Sequence, residues 1–177
     1  QYLLYGNDFI TEKIGNYKFK ISSDSFFQTN SKQAKELYDI IKQEAELKGD
    51  EIIYDLYCGT GTIGIYLSDK AKKIFGFEII SSAIDDAIIN ASNNNVKNAL
   101  FFKGDIKNIL TENKEMDIIE KPDITIIDPP RAGMHPKALK SIIKLNQKKI
   151  IYISCNPSTQ ARDLKEIVNY SSYKIKN

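Results

Sequence analysis

A thiol and a set of carboxylates stand at the ends of apolar runs, where side chains can do chemistry. Cys155 closes the run "KKIIYISC" and is followed by Asn156 and Pro157. Proline is a favoured first residue of a helix, so Cys155 is expected beside unsatisfied helix N–H groups and the positive end of a helix dipole, a setting that favours a nucleophilic thiolate. A cysteine can equally be a small buried hydrophobe. That reading is kept for Cys58, which lies inside the glycine turn of "DLYCGTGTIG" (55–64). Asp55 opens that segment, and Gly59, Gly61 and Gly64 allow a backbone to approach a ligand closely; the pattern formally fits G-x-G-x-x-G. Glu78 ends the next run, "KKIFGFE", where a carboxylate accepts hydrogen bonds from both hydroxyls of a ribose. Further on, "FFKGD" offers Asp105 and "IIDPPR" offers Asp128, the latter before two prolines that stiffen the turn and remove donors. Each acid has a plainer reading: Asp55 and Asp105 as helix caps, Asp128 as a turn residue.

These residues need elements to bring them together. Strand-like runs occur at "EIIYDLY", "KKIFGFE", "ALFFKGD", "DITIIDPP" and "KKIIYISC". Helical spacing fills the intervals at roughly 64–70, 81–94, 106–112, 136–145 and 157–170. Strands alternating with helices imply right-handed parallel βαβ units and a sheet covered on both faces, an α/β doubly wound fold. Ligands of such sheets bind beyond the carboxyl ends of the strands, so Asp55, Glu78, Asp105, Asp128 and Cys155 are expected on one rim. Ahead of this core, "ITEKIGNYKFKIS" predicts a hairpin about Gly15 and Asn16, and residues 31–47 an amphipathic helix capped near Asn30 or Ser31.

The glycine loop and Glu78 suit NAD or S-adenosylmethionine equally. With Asp105 placed near an adenine amino group and the Asp-Pro-Pro turn added, the set resembles the S-adenosylmethionine-dependent methyltransferases, whose class I fold is Rossmann-like. More narrowly, "SFFQTN" (25–30), "DLYCGTGTIG", "GFE" (76–78), "IIDPPRAG" (126–133) and "YISCNPSTQARDL" (152–164) are similar to segments of the RNA 5-methyluridine methyltransferases, which act on ribosomal or transfer RNA. The resemblance implies that Gln28, Tyr57, Gly59, Thr62, Glu78, Asp105 and Asp128 contact S-adenosylmethionine and that Cys155 is the nucleophile adding to carbon 6 of uracil. It divides the chain into 1–30, a hairpin with a cofactor-contacting segment, and 31–177, the catalytic domain. Arg131 is either a ligand of a uracil carbonyl or phosphate, or a surface or capping arginine. Phe26 and Phe27 are read as packing groups. The family's general-base Glu, typically after a His, has no counterpart in these 177 residues: Glu166 reads as solvated surface and His135 as a helix-start residue. The terminal strand hairpin of the family has none either, so a truncated sheet with an exposed edge and impaired turnover are expected.

Composition limits the alternatives. With 177 residues and 42% hydrophobic content one core can form. No apolar run approaches a membrane span, no signal-peptide pattern is present, and two distant cysteines without metal-ligand spacing indicate neither zinc nor a disulfide framework, so a cytoplasmic protein with reduced thiols is expected. The opening "QYLLYGNDF" lacks an initiating Met and reads as part of something longer. Residues 131–177 hold ten Lys/Arg against two acids, whereas 1–130 hold 15 against 21, so the basic end suits a polyanion or merely aids solubility. A monomer is the default. The rival functions are an amino-group methyltransferase acting on adenine or glutamine, disfavoured by "DPPR" and Cys155, and a non-catalytic RNA- or cofactor-binding module. The RNA and the uridine are not encoded legibly.

Overall fold

Successive side chains of a strand point to opposite faces, and here that alternation sorts the apolar residues into two cores. The computed structural model describes residues 7–23, 27–28, 30–108 and 119–176. An antiparallel hairpin, β1 (Phe9–Ile14) and β2 (Tyr17–Ser22), precedes α1 (Ser31–Ala45). Then follow β3 (Ile52–Leu56), α2 (Thr62–Leu67), β4 (Lys73–Glu78), α3 (Ser81–Asn93), β5 (Ala99–Lys103), β6 (Ile124–Ile127), α4 (Pro136–Leu145), β7 (Lys149–Tyr152) and α5 (Pro157–Asn169). Strands β3 to β7 form one parallel sheet in the order β5-β4-β3-β6-β7.

The chain moves outward from β3 to β5 and then returns to lay β6 on the other side of β3. Right-handed crossovers therefore change face at that point. Ile53, Ile74, Ile124 and Ile126 pack under the hairpin, α1, α2 and α3. Tyr54, Leu56, Phe75, Phe77 and Ile127, the residues of opposite parity, pack against α4 and α5. Covering both faces is what makes the strand sequences near-continuous apolar runs, and each such buried side chain stabilises by about 1.5–3 kcal/mol. The reversal between β3 and β6 is the topological switch point where open α/β sheets bind ligands.

The predicted elements recur with small shifts. Helix α1 is capped by Asn30, whose side chain accepts from Gln33 N at 3.2 Å. Helix α2 begins at Thr62, two residues earlier than its apolar spacing suggests, because Gly61 forms the N-cap. Of the predicted segment 106–112, residues 106–108 are helical and the rest lies outside the described residues. The hairpin docks through an unpredicted ladder on α3. Asn94 and Asn90 each accept from and donate to one backbone residue of β2, Lys18 (2.9 and 2.7 Å) and Lys20 (2.6 and 3.0 Å) respectively. Asp86 adds a bond from Ser22 N at 2.8 Å. Residues four apart on a helix advance about 6 Å and alternate strand residues about 6.7 Å, so the two rows match and the edge of β2 is closed. Strand β7 is an edge strand, half-buried, with Lys149 Nζ reaching Glu44 O at 2.5 Å. Among the described residues no helix is long and apolar enough to cross a membrane.

Candidate active site

The loop after β3 is shaped by backbone rather than by side chains. Tyr57 adopts φ 63°, a left-handed conformation unusual for a non-glycine residue and frequent at ligand-binding turns. Gly61 follows at φ 78°, and a Cβ there would lie 2.8 Å from the Phe101 ring, so only glycine fits. Thr62 is buried, its Oγ1 2.9 Å from the Tyr38 hydroxyl of α1. Glu78, also buried, accepts from Gly59 N at 3.2 Å through Oε2 and from Ile79 N and Ile80 N at 2.7 and 3.0 Å through Oε1. The ends of β3 and β4 are thereby joined at the site. Cys58 is buried, and desolvation pushes its thiol well up, as suits an inert packing residue.

Asp55 differs from expectation. It is fully buried and does not line the rim: it shares the parity of Ile53, points under α2, and accepts from Gly64 N at 2.9 Å. It thus satisfies one of the free first-turn N–H groups of α2, the capping alternative. Its other oxygen has no hydrogen-bond partner among the described residues. Burial, aided by the charges of Asp128 and Glu78, pushes its pKa up to about 7. Asp128 is half-buried, its N–H donating to Leu56 O at 3.4 Å while its carboxylate meets no hydrogen-bond donor among the described residues, and desolvation pushes it up to about 6. Asp105 is the opposite case, held low first by the side chain of Lys107, which lies 2.7 Å from Oδ2, with Lys107 N bonded to Oδ1 at 3.1 Å.

The raised value makes Asp55 a titrating part of the fold. It holds its proton more tightly folded than unfolded, so the stability it contributes is complete below about pH 4 and is lost as pH rises to about 7. Asp55→Asn cannot ionise and should flatten that decline, removing a pH dependence on the order of a few kcal/mol. Thermal melts of both proteins across this window test it; parallel pH profiles would show that the Asp55 charge is not desolvated.

At the β7 end, Cys155 is exposed one residue before the Asn156 cap of α5. The expected bed of free helix N–H groups is absent at its first donors. Pro157 has no N–H, and Ser158 N is taken by Asn156 Oδ1 at 3.1 Å. What positions the thiol instead is a weld to the neighbouring loop. Asn156 Nδ2 and Thr159 Oγ1 both donate to Arg131 O, at 3.0 and 3.1 Å. Beneath them Asp163 of α5, buried, accepts from Met134 N at 2.7 Å and the Tyr152 hydroxyl at 2.6 Å, and pairs with Arg162, which also donates to Ala132 O. The Cys155 loop and the Asp128–Arg131 loop are therefore held as one unit, on adjacent strands beside the switch point.

Residues 1–176 match the family described as tRNA (Uracil-5-)-methyltransferase. The chain belongs to this family. It is 46% identical over 167 residues to an uncharacterized RNA methyltransferase of Chlorobaculum tepidum, covering 94% of this chain and 35% of the relative. An uncharacterized RNA methyltransferase of Clostridium acetobutylicum is 48% identical over 161 residues, 91% of this chain and 34% of the relative. The chain thus spans about a third of the length of these curated relatives. Among solved structures, the tRNA (uracil-54, C5)-methyltransferase of Pyrococcus abyssi, in complex with S-adenosyl-L-homocysteine, superposes with a TM-score of 0.79 at 35% identity, over 98% of this chain and 40% of that one. A precorrin-6y C5,15-methyltransferase of Geobacter metallireducens, at 14% identity and a TM-score of 0.67 over 86% of this chain and 76% of its own, shares the fold alone. The fold is that of the class I S-adenosylmethionine methyltransferases.

Against this family's expected site, the structure gathers Tyr57, Gly59, Thr62 and Glu78 around one loop and sets Asp105, Asp128, Arg131 and Cys155 on the ends and loops of the adjoining strands. Gln28 is half-buried and makes no hydrogen bond among the described residues, so its cofactor role rests on the resemblance. Phe27 packs against the core under α1, and Phe26 lies outside the described residues. Arg131 is exposed, and its carbonyl, not its guanidinium, carries the observed contacts. His135 caps α4, its Nδ1 accepting from Lys137 N at 3.1 Å. Sequence reasoning missed Tyr38, Asn90, which donates to Thr60 O in the glycine loop at 3.1 Å, and Asp163. Only Asp163 left a trace, inside the "ARDL" that closes the Cys155 motif.

Proposed function

We propose that this chain methylates carbon 5 of a uridine in ribosomal or transfer RNA, with Cys155 as nucleophile and S-adenosylmethionine as methyl donor. The observation that carries this reading is the exposed Cys155 thiol in a loop tied to Arg131 O, one strand from the free carboxylate of Asp128. The donor set fits the cofactor. Glu78 and Asp128 both lie close enough to Asp55 for their charges to raise its proton affinity, so the two carboxylates share one negative region, suited to a sulfonium and an ammonium group. Glu78 and Tyr57 would hold the ribose side, Asp105 the adenine, and Gln28, Thr62 and Asp128 the remainder.

Carbon 5 of uracil is a poor nucleophile. Addition of the Cys155 sulfur to carbon 6 forms an S–C bond and drives the ring electrons onto the carbon 4 oxygen as an enolate, making carbon 5 nucleophilic. Bound S-adenosylmethionine supplies the electrophilic methyl that carbon 5 then takes. Loss of the carbon 5 proton to a base re-forms the double bond and expels Cys155. Arg131, exposed on the neighbouring loop, would steady the carbonyl oxygen or a phosphate. The base must leave its stack to reach the rim. The base that takes the final proton is not assigned among the described residues.

Intact-mass analysis after incubation with S-adenosylmethionine and a uridine-containing RNA tests this directly. A covalent protein–RNA species, methylated RNA, or both are expected. Neither adduct nor methylated product would sink the whole reading.

A further inference from the structure

Several of the described cations pair with carboxylates, and the others include an ordered row. Lys35, Lys42, Lys73, Lys148 and Lys149 each meet a carboxylate at 3.0 Å or closer. Helix α4, PKALKSIIKL, carries three lysines and no acid. Lys137, Lys140 and Lys144 are exposed, and none forms an ion pair among the described residues. Spacings of three and four put them on one stripe, roughly one per helical turn of about 5 Å, opposite the buried Ala138 and Ile142.

Position and surroundings give the stripe a direction. Helix α4 starts where the Asp128–Arg131 loop ends and leads from the rim toward the start of β7, so the stripe runs away from the active site. Beside it a cavity of about 740 Å³ separates α4 from α5, lined by Leu139, Ile143, Lys140 and Lys144 and by Tyr170, which is 70% exposed. Glu166 borders the same cavity without pairing to these lysines, while Asp163 is already neutralised by Arg162.

We propose that α4 is a phosphate track for the substrate RNA, with Lys137, Lys140 and Lys144 taking successive backbone phosphates and the adjoining cavity holding an unpaired base against Tyr170. This rests on reading the site as an RNA methyltransferase. Lysine is a point charge that positions a backbone without reading sequence. An exposed aromatic beside unpaired cations is the arrangement that binds single-stranded nucleic acid, in which bases stack while phosphates neutralise charge. An acidic protein surface would complement the lysines but leave the apolar cavity and Tyr170 unused.

Fluorescence polarisation with a fluorescein-labelled, uridine-containing RNA hairpin tests the track. The Lys137→Ala, Lys140→Ala, Lys144→Ala triple variant should bind at least about tenfold more weakly, with a log–log salt slope shallower by about 2. Tyr170→Ala should weaken binding by roughly fivefold or more. A control triple variant of the exposed Lys13, Lys70 and Lys97, which form no ion pair among the described residues, also to Ala, should keep the wild-type slope. Both triple variants should bind S-adenosylhomocysteine normally in calorimetry. Equal losses in the two triple variants, an unchanged slope, or stripe-dependent binding of polyglutamate but not of RNA overturns the track. Wild-type methylation of uridine with an unchanged KM in the α4 variant also sinks the track alone. A wild-type chain that binds no RNA and methylates no uridine removes the underlying reading.

Discussion

Cys155→Ala is expected to lose carbon 5 methylation by roughly three orders of magnitude or more while binding S-adenosylhomocysteine as the wild type does. The asymmetry follows from location. Cys155 lies on the β7 loop, whereas the proposed cofactor side is built from the ends of β3, β4, β5 and β6, with Glu78 and Thr62 held by partners that do not involve the thiol. Exposure of Cys155 means that removing its sulfur opens no cavity in the core, so thermal stability should hold. Cys155→Ser should give no detectable adduct, because an alcohol is far less readily converted to a nucleophilic anion than a thiol. The measurement is methyl incorporation into RNA beside calorimetry with S-adenosylhomocysteine. Retained methylation would point to an amino-group acceptor, whose nitrogen lone pair needs no covalent activation. Intact binding with no methylation in the wild type would leave a binding module.

The elements that position this site were legible because local pattern and tertiary demand agree. Strands β3, β4 and β6 are buried on both faces and so read as apolar runs; Pro136 and Pro157 mark two helix starts, and Asn30 a third. Residues whose roles depend on what another element presents were not legible. Asn90 is an ordinary polar residue of α3 until β2 and the glycine loop arrive beside it, 70 and 30 positions away. Tyr38 reads as one more apolar-face residue of α1 until its hydroxyl meets Thr62. Asp55 was misplaced by treating every strand end as rim. Its parity with Ile53 already sends it under α2, and only distance from the strand's end separates it from Asp128, which has the same parity as Ile126 yet stays half-buried. For Cys155 the sequence did not show that Asn156 takes Ser158 N, one of the donors expected beside the thiol, although the thiol still precedes the N-terminus of α5.

Asp163 shows how much of the chemistry depends on a contact no local pattern announces. Its carboxylate is 1% exposed and receives Met134 N, the Tyr152 hydroxyl and Arg162 at once. Gly133, at φ 74°, brings the Asp-Pro-Pro-Arg loop so close that an added Cβ would lie 2.7 Å from Asp163 Oδ2. Asp163→Ala leaves a buried N–H and a half-buried hydroxyl without their acceptor, while Arg162, half exposed, keeps Ala132 O and water; leaving such groups unsatisfied costs about 1–3 kcal/mol. With this lower anchor gone, only the Asn156 and Thr159 bonds to Arg131 O still tie the two loops, and a displacement of about 1 Å between nucleophile and target lowers the rate by about a hundredfold. The expected result is therefore a lower Tm together with adduct formation slowed about a hundredfold, while S-adenosylhomocysteine affinity stays within about twofold. Asp163→Asn is the informative companion. Its amide oxygen can still accept from Met134 N and Tyr152, while its NH2 faces Arg162, so it should recover much of the rate and less of the stability. Single-turnover kinetics with calorimetry separates these effects: a loss of cofactor affinity equal to the loss of rate would mean that Asp163 merely holds the fold, and a full rate in Asp163→Ala would mean that the two loops do not need each other.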